Sequence, residues 1–532
     1  MSQISTGRVQ KAVDNSVPRE EDGTKAGISS ASPRAGAEPR GQKPQLYTSA
    51  PPPQGRGRWG IGALIALAWL ALNLRWLSQD HGLPDGDEQG HIGAAWLFVG
   101  DLRAGDLLGF TQRALSGDMG EYPALYPAIT GLVWAALGVA QPDALALRGA
   151  NLLWLLGAAA ATGRLARRAA ASDRRDLAEI AAFGAVLLSP LANGLARHFM
   201  PEGALVAAAP LCALALTRAR ELPSAGRLLA AGIALGLGFL VKQTFLFYVF
   251  GLALLCLAPL GRAGLLAQGV AALIAAPWYI SHLGDQWRYG ASSVGARAAL
   301  GIGAHLGYYP FVMTWEGLGP PLALLLLLCM GRLPTLPSRG LTLITAAALG
   351  GLALTLVPKK YPRLVAPLAP FAAMALAGAV AHGRRPGLVM AGGGAAAGAW
   401  LVWSSWTALP TPPLELAMDA GCPQRWLGPP QPDDFGLPAV AEAVAAAPPG
   451  PVWVIAPPEI PCEVATALPW MEHLRPWLDR AGLDREVSEV APGADERGAA
   501  LIVDWTEGAQ GTRIAVPALA SGFSLRGPQR SW

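Results

Sequence analysis

The sequence is poor in charge. Asp, Glu, Lys and Arg make up only 15% of its 532 residues, where a soluble domain carries about 25%. Hydrophobic residues make up 52%, gathered in long blocks, and mean hydropathy is +0.34. This excludes a soluble enzyme, a disordered chain and a fibrous repeat, and leaves a polytopic helical membrane protein. Lysine is scarcer still, six residues against thirty-five Arg. Cysteine is also sparse, five residues with no CxxC or Cys/His metal spacing. Cys212, Cys256 and Cys329 sit inside apolar runs as packing residues. Cys422 and Cys462 lie in a polar C-terminal region, where a disulfide and two free thiols are both open. The net charge of +4 gives no sign of a nucleic-acid partner.

Residues 1–58 are rich in Pro, Gly, Ser and charge and read as a disordered cytoplasmic tail. No apolar core follows the first residues, so the tail is not read as a cleaved signal peptide. Nine basic residues lie in it, the last two being Arg56 and Arg58. Trp59 to Leu77 then forms an apolar run long enough to span a bilayer. Basic residues flanking a span favour the cytoplasm, which puts the N-terminus inside.

Residues 79–146 hold nine acids and two basic residues, Arg103 and Arg113, and read as an external loop. Its apolar stretch Tyr122 to Leu137 is assigned to the outer interface. Were it to span, the basic loop Arg164 to Arg175 would fall outside. Further spans follow at roughly 147–166, 177–195, 201–217, 228–241, 244–260, 264–282, 318–331, 340–357, 364–381 and 387–406. The total is eleven, with cytoplasmic loops carrying Arg218, Arg220, Arg227, Arg262, Arg332, Arg339, Arg384 and Arg385. Residues 407–532 are more polar and read as a small external α/β domain. Its expected strands are Val452–Ala456 and Leu501–Trp505, and its expected helix is His473–Ala481.

Unusual residues collect at the expected outer ends. Asp85, Asp87, Glu88 and His91 stand just beyond the first span. An aspartate there can act as a general base, and Asp87, Glu88 and Glu121 can supply hard oxygen ligands to a divalent cation. A solvated acidic loop needs none of this, and composition alone favours it. Glu121 heads the segment Glu-Tyr-Pro-Ala-Leu-Tyr-Pro, where an acid also stabilises a helix N-terminus. Glu202 follows Pro201 in the first turn of a span. Lys242, Lys359, Lys360 and Arg363 lie at outer ends, against the orientation bias. Cations there cost free energy unless an anion compensates them. A lipid phosphate fits, and snorkelling to headgroups is the plainer account.

In order, these segments resemble the GT-C glycosyltransferases, especially the protein O-mannosyltransferases and the bacterial lipid A aminoarabinose transferases. The resemblance covers about residues 59–382. It is carried by Asp87-Glu88, Glu121-Tyr-Pro-Ala-Leu-Tyr-Pro127, Leu188-Ser-Pro190, Gly236-Leu-Gly-Phe-Leu-Val-Lys242, Pro277-Trp-Tyr279 and Lys359-Lys-Tyr-Pro-Arg363. It implies an all-α, GT-C-like fold and an inverting transfer of a sugar from a polyprenyl-phosphate donor. The acceptor would be a protein, lipid or glycan on the outer face of the inner membrane. It also implies Asp87 as base with Glu88 beside it. Glu121, Glu202 and His91 would lie near the substrate, and Lys242, Lys359, Lys360 and Arg363 near the donor phosphate. A divalent metal is compatible with this set and not required by it. Three features depart from the family pattern: glutamate rather than aspartate at 202, Tyr122 where Lys or Pro is usual, and no Glu-His pair in 283–317, where His305 stands. The alternatives are a transporter or flippase for a lipid-linked sugar, against which no internal repeat is found, and a catalytically silent homologue in envelope assembly.

Overall fold

The computed structural model describes residues 57–80, 86–116, 122–139, 144–171, 173–288, 302–357, 361–407, 428–430 and four short strands beyond residue 450. The tail, Glu121, Lys359, Lys360, Cys422, Cys462 and the expected helix His473–Ala481 lie outside these residues. So do the side chains of Asp85 and Asp87.

Helix α1 (Gly57–Leu77) covers the first apolar run. Three shorter helices follow: α2 (Gly86–Arg103), α3 (Leu107–Ser116) and α4 (Leu125–Ala136). The 12 residues of α4 rise about 18 Å, short of a hydrocarbon core of about 30 Å. Instead α4 packs on α2, so closely that a Cβ at Gly131 would lie 2.7 Å from the Ala95 carbonyl oxygen. Helix α3 turns Phe110 and Ala114 onto Phe98, Ala124 and Ala128 and leaves Leu107, Leu108 and Leu115 exposed.

The bundle proper begins with α5 (Ala144–Ala169), packed against α6 (Arg175–Leu187) and α8 (Pro201–Glu221). Between the last two lies α7 (Pro190–Arg197). The expected span 177–195 is therefore two helices meeting at 54°. Pro190 starts the second, and Ser189 caps it by accepting from the Ala192 N–H. Helix α9 (Ala225–Val241) lies on α8 and α11 (Arg262–Ser281). Gly232 and Gly236, four apart, let the backbones of α9 and α11 approach as small residues do in membrane helix pairs. A Cβ at Gly232 would lie 2.5 Å from the Ala267 carbonyl oxygen. Helix α10 (Phe245–Leu257) stands between α9 and α11 in the chain.

The chain then forms α12 (Ile302–Val312), a π-helical turn Met313–Gly317, and α13 (Gly319–Cys329). The two arms of this segment bend by 114°, at Gly319 with φ +72°. Helix α14 (Ser338–Leu356) packs on α10. A 3-10 stretch, Pro362–Leu368, leads into α15 (Ala369–Ala381), which is buried at every position but Ala372. Helix α16 (Pro386–Trp406) completes it. Six of these helices are long and apolar enough to cross a membrane, and eight spans result if each bent pair is one. Cys212, Cys256 and Cys329 are free and buried. At one end of the bundle Arg164 and Arg167 both pair with Glu179 at 3.0 Å, and Arg168 pairs with Glu221 at 2.8 Å.

Beyond residue 450 the strands β1 (Val452–Ile455), β2 (Val487–Val490), β3 (Leu501–Asp504) and β4 (Arg513–Ala515) form one sheet in the order β2-β1-β3-β4. Strand β1 pairs in parallel with β2 and β3, and β3 pairs antiparallel with β4. The two apolar runs expected as strands are β1 and β3.

Candidate active site

At the opposite end of the bundle the polar residues converge. Arg148, in the second turn of α5, is 2% exposed and lies between two carboxylates. Its Nη1 donates to Asp80 just past α1. Its Nε and Nη2 donate to the two oxygens of Glu88, at 2.7 and 3.1 Å. Glu88 is fully buried, accepts also from the Phe199 backbone N–H, and faces His198 Nδ1 at 3.3 Å. Burial alone would favour the neutral acid. The Arg148 guanidinium and His198 outweigh it and hold the Glu88 carboxyl well below the usual carboxylate range. The result is a fixed carboxylate that ties α2 to α5 and to the link between α7 and α8.

A second group stands at the head of α8. Glu202, in its first turn, is fully buried. One of its oxygens takes Lys242 Nζ at 2.7 Å and Arg363 Nε at 3.2 Å. Lys242 ends α9, and Arg363 belongs to the 3-10 stretch before α15, so three separated segments meet here. Tyr248, near the start of α10, donates to the Leu364 carbonyl at 2.7 Å and holds that stretch in place. Lys242 Nζ also lies 4.7 Å from the centre of the Tyr122 ring, a cation–π contact.

Aromatic and amide groups bridge the two. The His91 ring meets Tyr122 edge-on at 5.2 Å and Tyr126 at 6.0 Å. Tyr126 donates to Asn151 Oδ1 at 3.0 Å, and Asn151 donates to the His198 carbonyl at 2.6 Å. A third network lies behind them. Arg197 Nε donates to Asn73 Oδ1 and its Nη1 to Ser405 Oγ, both at 2.8 Å, while its guanidinium stacks over Trp76 at 5.0 Å. Trp69 donates to Asn193 Oδ1 at 2.7 Å, and Asn73 donates to the same oxygen at 3.1 Å.

The structure thus brings together Glu88, His91, Glu202, Lys242 and Arg363. It places Asp87 in the first turn of α2 beside Glu88. Glu121 precedes Tyr122, and Lys359 and Lys360 precede Tyr361, whose ring lies 4.9 Å from Arg363. Among the described residues no set of three His, Cys, Asp or Glu is gathered as for a metal ion. Arg148, Asp80 and Asn73 were not singled out from the sequence. Arg148 opens the expected span 147–166, where an arginine at the boundary passes for an ordinary flank.

Comparison with known proteins follows the same lines. A family model described as dolichyl-phosphate-mannose-protein mannosyltransferase matches residues 132–282. That segment includes Arg148, His198, Glu202 and Lys242. A crystal structure of ArnT from Cupriavidus metallidurans bound to undecaprenyl phosphate aligns with a TM-score of 0.54 at 15% identity. It covers 85% of this chain and 93% of that one. The same protein in the apo state aligns with a TM-score of 0.56 at 15% identity, over 84% and 93%. A comparison with curated proteins finds no match. The chain therefore has the fold of these ArnT structures and resembles the GT-C glycosyltransferases.

Proposed function

We propose that the protein is a membrane glycosyltransferase. It moves a sugar from a polyprenyl-phosphate donor to a protein, lipid or glycan acceptor on the outer face of the inner membrane. The observation that carries this reading is the convergence of Lys242 and Arg363 on Glu202, at the bundle end that also gathers Glu88, His91 and His198. A cytoplasmic N-terminus, expected from the basic tail, puts the exit of α1 and with it that end of the bundle outside.

In this reading Asp87 is the base. It takes the proton of the acceptor hydroxyl or amine as the new bond to the sugar C1 forms. The bond from C1 to the lipid phosphate oxygen breaks, and its electron pair leaves with the phosphate. Glu88 positions α2 through Arg148. Lys242, Lys359, Lys360 and Arg363 stabilise the charge that grows on the departing phosphate. His91 lines the approach, and the resemblance assigns Glu121 to the same substrate. A divalent cation is not needed for any of these steps.

The test is the double variant Lys359→Gln, Lys360→Gln. A charge-assisted contact to phosphate contributes about 1.5–3 kcal/mol, so each change should weaken donor use by roughly 10–150-fold. Lys→Arg should retain part of the activity. Undecaprenyl phosphate binding and single-turnover transfer are measured per folded molecule. Unchanged binding of the lipid phosphate would refute the phosphate site.

A further inference from the structure

Gln243 follows Lys242 in the turn between α9 and α10. Its amide nitrogen and oxygen are both buried, and neither has a hydrogen-bond partner among the described residues. The second oxygen of Glu202 is in the same condition. Buried polar atoms nearly always find partners, and an amide that leaves both ends unmade is destabilising to the free protein. The neighbouring backbone does not require it. The Gln243 carbonyl receives the Leu246 N–H, so the turn closes without the side chain. Phe245, two residues on, fills the space above Gly238, so the turn is also packed without it.

What could complete these groups is limited by their chemistry. An amide offers one acceptor and two donors with no charge. It gains little selectivity from a phosphate, which the adjacent cations already suit. It matches vicinal hydroxyls, one donating to Oε1 and one accepting from Nε2. Glu202's remaining oxygen can take a further hydroxyl.

We infer that Gln243 is a specificity-determining residue that binds the uncharged, hydroxyl-bearing glycosyl group of the donor, beside the Lys242 end of the phosphate site. This rests on the proposed donor. It adds that the sugar itself, and not only its phosphate, is recognised at the turn between α9 and α10.

The experiment uses the full-length protein in nanodiscs and three probes: undecaprenyl phosphate, its hexose ester and its pentose ester. The wild type should bind at least one ester more tightly than the bare lipid phosphate. Gln243→Leu removes the amide and keeps most of the volume. It should lower binding of that ester by about 10-fold, the scale of one or two lost hydrogen bonds, and leave undecaprenyl phosphate unchanged. Its melting temperature should stay level or rise, because an unsatisfied buried amide is gone. Gln243→Asn, which keeps the amide on a shorter stem, should bind the ester between the two. Three results overturn the inference: no preference of the wild type for either ester, an equal loss for ester and bare phosphate in Gln243→Leu, or a melting temperature that falls with ester binding intact. A wild type that binds no undecaprenyl phosphate refutes the donor class itself, and with it this inference.

Discussion

Replacing Arg148 by Met tests what holds the base of the site in place. Met keeps a long stem and removes the guanidinium that Asp80 and Glu88 share. Removing one partner of a buried ion pair costs about 3–5 kcal/mol, because the other charge is left without compensation. At about 2 °C per kcal/mol, the low end for larger domains, the melting temperature at pH 7.5 should fall by about 6–10 °C. Thermal unfolding followed by tryptophan fluorescence, with 18 Trp in the chain, reads this directly.

The pH dependence gives the sharper test. In the wild type the Glu88 carboxyl titrates well below the usual carboxylate range. A depressed carboxyl contributes stability above its unfolded value, near 4.3, and loses it only as pH falls through the folded value. Between pH 8 and pH 5.5 the Glu88 contribution in the wild type is therefore constant. In Arg148→Met, burial acts without the guanidinium and raises the carboxyl toward neutrality. Protonation on acidification then relieves the variant. The gap in melting temperature between the two proteins should be widest at pH 8 and should narrow by pH 5.5. Adding Glu88→Gln and Asp80→Asn to Arg148→Met should recover at least half of the loss, since neutral groups leave no buried charge unpaired. A gap that is absent, or equal at both pH values, would refute the account of Arg148 and Glu88 as a coupled buried pair.

Asp87→Asn keeps shape and removes the proposed base, so transfer by the purified protein should fall by about 10²–10⁴-fold; near-normal turnover would place the base elsewhere. A topology reporter fused after Ala171 should read cytoplasmic, and one fused after Ser116 or Gly436 external; an external reading at Ala171 would mean that Tyr122–Leu137 crosses the membrane. Gly236→Leu should force α9 from α11, because a Cβ there already lies 2.8 Å from Ile274 Cβ. A cost of about 1–3 kcal/mol is expected, seen as a lower melting temperature with weaker donor binding at Lys242. Full stability would show that the two helices separate freely.

The sequence carried much of the fold because apolar blocks and arginine-bearing loops are local patterns: α1, α4 to α11 and α13 to α16 fall near such blocks, while α2, α3 and α12 lie in stretches read as loop. Breaks within blocks were harder to read. Leu188-Ser-Pro190 was visible as a motif, yet the 54° bend it makes depends on Ser189 capping α7 and reaching the Gly317 carbonyl, a partner far along the chain. The 114° bend before α13 likewise needs the left-handed Gly319, whose position against Trp400 no local pattern reveals. In the site, residues of unexpected charge were legible singly: Glu202, Lys242 and Arg363 stood out because apolar runs frame them. Arg148 and Asp80 were not, because an Arg at a span boundary looks like an ordinary flank until its partners are known.

The sharing of charge at this end argues for function over stability. Among the described residues one guanidinium serves two carboxylates in the first group, and two cations serve one carboxylate in the second. A buried ion pair contributes little net stability against an apolar replacement. A fold selected only for rigidity would match such charges one to one or omit them. Here two clusters of shared buried charge stand a few side chains apart, joined through His91, Tyr122, Tyr126 and Asn151. Between them lies a fixed field in a region of low dielectric, where such fields are strong. The proposed transfer from a lipid phosphate would use that polarity: negative charge would leave toward the cations beside Glu202, and a proton would leave the acceptor toward the acids of α2. Rigid pairing through Arg148 and Glu202 sets the field before substrate arrives, so that neither cluster has to reorganise when the charge moves.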